Sequence, residues 1–227
     1  MSSASYIGSS MADPGPIRLD VAPRPEPHPG FSLTKRTMDV AGASVLLLLT
    51  SPIWVAAIVA ILVTSGRPIF FGQERLGYRG RPFKVWKLRT MVPDAESRRD
   101  EVLHLNTTGG PAFKNANDPR LTRVGRWLRA YSVDEIPQAW NILRGDMSLV
   151  GPRALPTVEN VYTGRQAERL SVRPGLTCTW QVSGRSEITF DRWMEMDLEY
   201  VDGLSIWRDL VLLARTPLAV LGRRGAM

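Results

Sequence analysis

A run of 24 consecutive uncharged residues, 40–63, limits the possible folds of this 227-residue chain more than any other feature. About 20 apolar residues in a helix are enough to cross the hydrocarbon core of a bilayer. A soluble core would have to enclose the same stretch on every side. A secretory signal peptide fits poorly, because the stretch is too long and a polar tail precedes it. The run therefore predicts a helix inserted in a membrane.

A Ser51-Pro52 pair lies near the middle of this apolar run. Proline removes one backbone donor and clashes with the carbonyl four residues earlier, so the pair predicts a bend in the helix. The hydroxyls of Thr50 and Ser51 can satisfy the backbone groups that proline frees. Basic residues flank both ends of the run, and positive charge favours the cytoplasmic side. A straight span and a bent hairpin both place residues 67–227 in the cytoplasm, and charge does not choose between them.

The rest of the chain divides into a tail and a larger body. Residues 1–30 contain six prolines, five serines and three glycines, which predicts a disordered, flexible tail. Residues 31–66 form the membrane segment and residues 67–227 one folded body. Short alternation between glycines after residue 69 predicts strands, and helical spacing elsewhere predicts helices. The expected fold is α+β and mainly helical, with a compact body mounted on the membrane helix.

Two late segments have apolar residues at helical spacing. The first covers residues 190–201, and the second covers residues 205–221 and is edged by tryptophan and arginine. Faces of this kind either pack on a protein core or lie in a membrane interface as amphipathic helices. Both placements stay open for the second segment.

Composition limits the chemistry that is available to the chain. One cysteine, Cys178, and two histidines exclude an intrachain disulfide framework, a cysteine-rich zinc site and a three-histidine metal site. The 29 Lys and Arg residues outnumber the 22 Asp and Glu residues, giving a net charge of +7. Such an excess indicates anionic partners: phosphates, nucleic acid or an acidic membrane surface. Catalysis must use carboxylates, basic groups or hydroxyls.

Asp134 and Glu135 are adjacent acids before an apolar-periodic helix. Residues 132–135 have the S-x-x-E form of a capping box, which needs no function, whereas Pro137 favours a helix that starts nearer Asp134. Either way the acids are expected at a helix N-terminus, where anions are stabilised. A carboxylate kept ionised there can attack phosphorus, its neighbour can hold Mg²⁺, and Arg129 can neutralise a transferred phosphate. Capping and catalysis both stay open at this point.

Eight ordered blocks make the chain resemble the monotopic phosphoglycosyl transferases, bacterial sugar transferases that load a sugar phosphate onto a polyprenyl phosphate. The resemblance runs from about residue 35 to residue 225. Its blocks are KRTMD (35–39), Ser51-Pro52, FGQERLGYRGRPFKVWKLRTM (71–91), NDPRLTRVGRWLR (117–129), YSVDEIPQAWNILRGDMSLVGPR (131–153), RPGLT (173–177), QVSGR (181–185) and DLEYVDGLSIWRDL (197–210).

The resemblance implies a role for each residue of the acid pair. Asp134 is expected to be the nucleophile that displaces UMP from a UDP-sugar and forms a covalent phosphosugar intermediate. Glu135 is expected to help bind Mg²⁺, the one cofactor implied, and Arg129 to contact phosphate. Polyprenyl phosphate would then attack the intermediate in a ping-pong scheme. Residues 67–227 would be the catalytic domain.

Further positions follow from the same resemblance. Arg153 lies in the family's Pro-Arg-Pro loop, which borders the nucleotide. Lys87 and Arg89 match a basic block near the site, with a solvated or lipid-facing charge as the open alternative. Ser51 and Pro52 match the break that makes the family's membrane helix re-entrant, which favours the hairpin over the straight span.

The chain departs from the family pattern at a few positions. Ala154 replaces the second proline of the Pro-Arg-Pro loop, and Cys178, Trp180 and Ser183 replace Gly, Ala and Asn. Cys178 is expected to be a small packed residue rather than a reactive thiol. The bulk of Trp180 bears on loop geometry and on the choice of substrate.

The expected partners are a UDP-sugar, polyprenyl (undecaprenyl) phosphate and the lipid bilayer, with a homodimer left open. The expected location is the bacterial inner membrane, with the catalytic domain on its cytoplasmic face. The implied pathway is exopolysaccharide, capsule, O-antigen or glycoprotein glycan synthesis. The alternative is an inactive, transferase-like interaction protein anchored in the membrane. No nucleic-acid partner is expected, because the chain has no nucleic-acid-binding signature.

Overall fold

The computed structural model of the protein describes residues 21–22, 25–102, 104, 115, 118–156 and 164–222. Most of the predicted tail, residues 1–20 and 23–24, lies outside the described residues. The described part is α+β and mainly helical, as predicted. Its helices are α1 (Phe31–Ser65), α2 (Arg99–Val102), α3 (Arg123–Ala130), α4 (Gln138–Arg144), α5 (Thr179–Ser183), α6 (Phe190–Asp202) and α7 (Ile206–Leu221).

Two small sheets and several 3₁₀ segments complete the body. Strands β1 (Phe70–Leu76) and β2 (Pro82–Leu88) form an antiparallel hairpin, which confirms the strands expected after residue 69. Strands β3 (Ser148–Val150) and β4 (Gly175–Thr177) pair in parallel. The 3₁₀ segments are Tyr78–Gly80, Val133–Glu135, Gly164–Ser171 and Arg185–Glu187.

Helix α1 is continuous from Phe31 to Ser65 with Pro52 inside it, and the bend and re-entrant path expected at Ser51-Pro52 stay predictions. Proline cannot donate to the carbonyl of Leu48, and the Ser51 hydroxyl donates to that oxygen instead at 2.8 Å. Thr50 donates to the carbonyl of Leu46 at 2.6 Å. The compensation expected at this proline is therefore confirmed. Within the described residues, α1 alone is long and apolar enough to cross a membrane.

One side of α1 packs against the body along both halves of the helix. Ala43, in the first half, joins a core cluster with residues of α4 and β3 such as Ile142 and Leu149. Ala57 and Ile61, in the second half, join a second cluster with residues of β2, α3 and the turn before α4. The opposite side is apolar and exposed; Leu33, Leu48, Leu49 and Val63 are each more than 70% accessible. The helix therefore presents an apolar surface that suits lipid.

Polar side chains at the start of α1 hold it to the body. The ammonium of Lys35 donates to the carboxylate of Asp209 at 2.6 Å. Asp39 is 2% exposed and accepts hydrogen bonds from the Ser148 hydroxyl at 2.9 Å and from the backbone N–H of Leu149 at 2.8 Å. These bonds fix the helix against β3 in one register, because a slip along the axis would leave buried groups unpaired.

The segments predicted to be amphipathic are helices with one buried side. Trp193, Met194 and Val201 of α6 are buried in the body. In α7, Asp209 and Leu212 are buried, whereas Trp207 and Leu218 are more than 70% exposed. Helix α7 thus packs on the core with one side and keeps an exposed apolar side, and its placement in a membrane interface stays a prediction.

Cys178 lies in a third cluster, with Leu155, Trp180, Trp193 and Met194. Burial raises the pKa of its thiol to about 12, and the thiol donates to the Gln181 side-chain oxygen at 3.2 Å. Since the thiolate is the reactive form, these features support a packed, inert cysteine.

We predict that Asp39→Ala destabilises the protein by about 2 kcal/mol, since it leaves a buried N–H and a buried hydroxyl without their acceptor. Thermal unfolding in detergent measures the change. The matched control is Thr37→Ala on the same helix, whose exposed hydroxyl bonds only the carbonyl of Leu33 among the described residues. Equal unfolding midpoints for the two variants would contradict the anchoring role of Asp39.

We predict that the lone thiol reacts with a disulfide reagent at pH 8 at least about 100-fold more slowly in the native protein than in guanidinium chloride, because a raised pKa leaves little thiolate. Release of the reagent's chromophore measures the rate. Ser97→Cys adds an exposed thiol and should give one fast equivalent in the native protein. Fast labelling of native wild type would show that Cys178 is accessible.

Candidate active site

The acid pair lies on the 3₁₀ turn Val133–Glu135, one turn before α4. Ser132 has a left-handed φ of 55°, and its side chain makes no capping hydrogen bond. Helix α4 begins at Gln138, with Pro137 in the N-cap position. The S-x-x-E capping box is therefore not formed. The acids were expected at the N-terminus of the helix itself. They lie one turn before it, because the left-handed backbone of Ser132 redirects the chain.

A cavity of about 400 Å³ opens beside this turn. The described part of its wall comes from three regions of the chain. The first is β1, β2 and the segment after β2, and the second is α3 with the acid turn. The third is residues 153–156 together with α5, Arg185 and α6. All six residues that the sequence predicted for the site line it. They are Lys87, Arg89, Arg129, Asp134, Glu135 and Arg153.

Glu135 is held by two cations. Lys87 donates to its Oε1 atom at 2.8 Å, and the Arg153 guanidinium donates to both of its carboxylate oxygens. Burial opposes ionisation, but Arg153 and Lys87 together outweigh burial and hold the pKa of Glu135 well below its ordinary value. Burial also lowers the pKa of Lys87, with Glu135 acting against it. Glu135 is thus a fixed carboxylate anion.

Asp134 is in a different electrostatic situation from its neighbour. It is 5% exposed, and its carboxylate has no hydrogen-bond partner among the residues that the structure describes. Burial raises its pKa, Lys87 acts against burial, and the charge of Glu135 raises the pKa further. A desolvated carboxylate with no bond to hold it is more reactive toward an electrophile than a solvated one.

Arg129 is positioned by the segment that follows β2. Its Nε donates to the hydroxyl of Thr90 at 3.0 Å, and α3 packs so closely on this segment that a Cβ at Gly125 would lie 1.9 Å from the Thr90 carbonyl oxygen. Arg129 makes no ion pair with any residue in the described ranges. Its terminal nitrogens are therefore available to an anion in the cavity.

Arg89 lines the cavity but has other partners. Its guanidinium donates to the carbonyls of Ser65 at 2.7 Å, Gly66 at 2.8 Å and Arg67 at 3.0 Å. It therefore holds the end of α1, whose last carbonyls lack helical partners. The phosphate-binding role of Arg89 stays a prediction, and its observed contacts are structural.

The wall of the cavity also contains residues to which sequence reasoning gave no site role, among them Arg75, Arg185 and Trp193, as well as Trp180, which it singled out only for its bulk. Arg75 donates to the carbonyl of Ala154 and to the side chain of Gln73. Arg185 is buried and has a left-handed φ of 54°. Arg75 and Arg185 belong to the blocks FGQERLGYRG and QVSGR. The signal that could have identified them is the position of an arginine close to a glycine in each of these two blocks.

The acid pair offers oxygen ligands that suit a hard cation. Mg²⁺ commonly uses one or two carboxylates together with phosphate oxygens of a substrate, and Asp134 and Glu135 are adjacent in the cavity wall. Within the described ranges no group of three or more His, Cys, Asp and Glu side chains could hold a metal alone. Because Lys87 and Arg153 already donate to the oxygens of Glu135, the acid pair fits a cation only when it arrives with the phosphate oxygens of a substrate, and Mg²⁺ binding by Glu135 stays a prediction.

Comparisons with known proteins give the family. The model of the family described as bacterial sugar transferase matches residues 31–223. The exopolysaccharide production protein ExoY of Rhizobium meliloti is 39% identical over 206 residues, which are 88% of this chain and 90% of the relative. The UDP-glucose:undecaprenyl-phosphate glucose-1-phosphate transferase of Caulobacter vibrioides is 41% identical over 204 residues, 85% of this chain and 71% of the relative.

Other relatives are longer. The galactosyl transferase CpsE of Streptococcus agalactiae is 41% identical over 202 residues, which are 86% of this chain and 43% of the relative. The chain thus spans less than half the length of that protein. The family match covers α1, the acid pair and every basic residue of the cavity named above, and on that evidence the chain belongs to the bacterial sugar transferase family.

Proposed function

We propose that this protein transfers a sugar 1-phosphate from a UDP-sugar to undecaprenyl phosphate through a covalent intermediate on Asp134, releasing UMP. The single observation that carries the proposal is the contrast within the acid pair. Glu135 is bound by Lys87 and Arg153, whereas Asp134 is buried at the edge of the cavity with no hydrogen-bond partner among the described residues.

That contrast matches the needs of phosphoryl transfer. Catalysis of this reaction depends mainly on positioning and on neutralising the charge of the transferred group. Arg129 and Arg153 line the cavity on two different segments, α3 and the loop after β3. Arginine edges can contact phosphate oxygens in pairs, so the two residues can hold a diphosphate between them beside Asp134.

The first step forms one bond and breaks one. A carboxylate oxygen of Asp134 attacks the phosphorus that bears the sugar, and the bond from that phosphorus to the bridging oxygen breaks, so that UMP leaves with the electron pair. Arg129 and Arg153 stabilise the charge on the phosphoryl oxygens as it develops. The result is a sugar phosphate joined to Asp134.

The second step releases the enzyme. A phosphate oxygen of undecaprenyl phosphate attacks the same phosphorus, the bond to Asp134 breaks, and the carboxylate is restored. The product is a lipid diphosphate sugar. Glu135, together with phosphate oxygens of the substrate, would hold Mg²⁺, which would supply neutralisation of the phosphate charge.

The membrane helix supports a place for this reaction at the bilayer surface. Both halves of α1 contact the same body, and its other side is exposed and apolar. A helix that crossed the bilayer upright would carry one end away from the body. The packing therefore favours a re-entrant helix with both ends on one side, and basic flanks favour the cytoplasmic side of the inner membrane. Undecaprenyl phosphate and a soluble UDP-sugar meet only at that surface.

The relatives favour a hexose as the transferred sugar. A galactosyl transferase and a glucose-1-phosphate transferase are among them, and ExoY is named for exopolysaccharide production. We propose the first membrane step of exopolysaccharide synthesis as the biological role, and UDP-galactose and UDP-glucose as the first donors to test.

We predict that Asp134→Asn lowers UMP release by roughly 10⁴-fold or more, because the amide cannot serve as the nucleophile. Detergent-purified full chain, Mg²⁺, undecaprenyl phosphate and a panel of UDP-sugars make up the assay. Asp191→Asn, an exposed residue of α6, is the matched control and should retain wild-type turnover. Both variants should still sediment with membranes.

Two outcomes would count against the proposal. Retained turnover in Asp134→Asn would refute the nucleophile. Absence of UMP release by wild type with every donor in the panel would favour the inactive interaction protein instead.

A further inference from the structure

Arg153 is held from a side that the proposed reaction does not use. The centre of its guanidinium lies 5.9 Å from the ring centroid of Trp180. Trp180 in turn stacks on Trp193, with centroids 4.4 Å apart and ring planes 16° from parallel. The Phe190 ring meets Trp193 edge-on at 5.9 Å. A column of aromatic rings from α5 and α6 thus ends on the arginine that binds Glu135.

The column is closed at its far end by a second arginine. The Arg169 guanidinium lies 6.0 Å from the Trp193 ring and forms a buried ion pair with Asp197. Arg169 also donates to the backbone carbonyl of Arg153 at 2.6 Å. Arg153 is therefore fixed twice by this group, at its backbone by Arg169 and at its side chain by Trp180.

Burial makes these contacts strong. Trp180 is 5% and Trp193 is 3% exposed. A cation over an aromatic face gains most when water is excluded. While it lies over the Trp180 ring, Arg153 donates through both terminal nitrogens to the carboxylate of Glu135, and a guanidinium can stack on an aromatic ring and bind a carboxylate or phosphate at the same time.

The Trp180 ring has little surface left for a ligand. Trp193 covers one face, and Arg153 also lies over the ring. Stacking of a uracil base or of a sugar on Trp180 would require one of these neighbours to leave. Arg153 is thus the site residue through which Trp180 can act on the reaction without itself stacking on the substrate.

We propose that Trp180 is a positioning residue of the transfer reaction, which holds the Arg153 guanidinium so that its edge faces Glu135 and the phosphate of the substrate. This inference rests on the proposed function. It also gives a role to Trp180, which stands where the family pattern has alanine. It predicts an energetic coupling between positions 153 and 180.

A double-mutant cycle on UMP release tests the coupling. The variants are Trp180→Leu, Arg153→Gln and the double variant, in the full chain reconstituted in nanodiscs, with kcat and KM measured for the UDP-sugar that wild type uses. Trp180→Leu should lower kcat/KM about 10-fold, the factor expected for loss of a desolvated cation–aromatic contact. In the Arg153→Gln background the same change should cost less than about twofold, because the partner is already absent.

Two further variants separate positioning from packing. Trp180→Phe keeps an aromatic face and should recover most of the activity. Trp140→Leu removes an exposed tryptophan of α4 and should leave kcat/KM unchanged. If Trp180→Leu does not fold, as judged by thermal unfolding, Trp180→Met, which also lacks an aromatic face, is measured in both Arg153 backgrounds under the same criterion.

If the losses in kcat/KM from the two single variants multiply in the double variant, the two positions act independently. That result would overturn the inference while leaving the proposed function standing. Wild-type activity in Trp180→Leu would overturn it in the same way. A wild-type protein that releases no UMP from any donor would overturn the proposed function, and this inference with it.

Discussion

The buried pairing of Glu135 with Lys87 and Arg153 is the interaction on which the site depends. Three charged groups share a space from which water is largely excluded, and removal of one partner from such a set leaves an uncompensated charge. Because Glu135 takes both cations, its neighbour Asp134 has no fixed partner among the described residues. The pairing thus separates two adjacent carboxylates into one that is bound by two cations and one that is left for the proposed attack on phosphorus.

The same short stretch of chain connects this site to the membrane helix. Lys87, near the end of β2, binds Glu135, and Arg89, two residues later, binds the last carbonyls of α1. At the other end of α1, Asp39 binds β3, and the loop after that strand carries Arg153. Polar contacts at both ends of one apolar helix therefore fix the two segments that supply the cations of the site.

The sequence predicted the parts of this arrangement that local chemistry decides. An uncharged run of membrane length became α1, the hydroxyls before Pro52 bond the carbonyls of the preceding turn, and all six predicted site residues line one cavity. The capping pattern at residues 132–135 was misleading, because the backbone of Ser132 is left-handed and no local rule for S-x-x-E specifies that. The contacts of Arg89 and the Trp180–Trp193 stack depend on segments distant in sequence, so only the assembled fold reveals them.

The central claim is that Asp134 becomes bonded to phosphorus, and peptide mass spectrometry tests it most directly. Wild-type protein is mixed with the UDP-sugar that it turns over, in the absence of undecaprenyl phosphate, then quenched and digested. The peptide containing Asp134 should gain the mass of the sugar phosphate, and added undecaprenyl phosphate should remove that mass. A peptide of unchanged mass in protein that has released one equivalent of UMP, or the added mass on a peptide without Asp134, would contradict the claim.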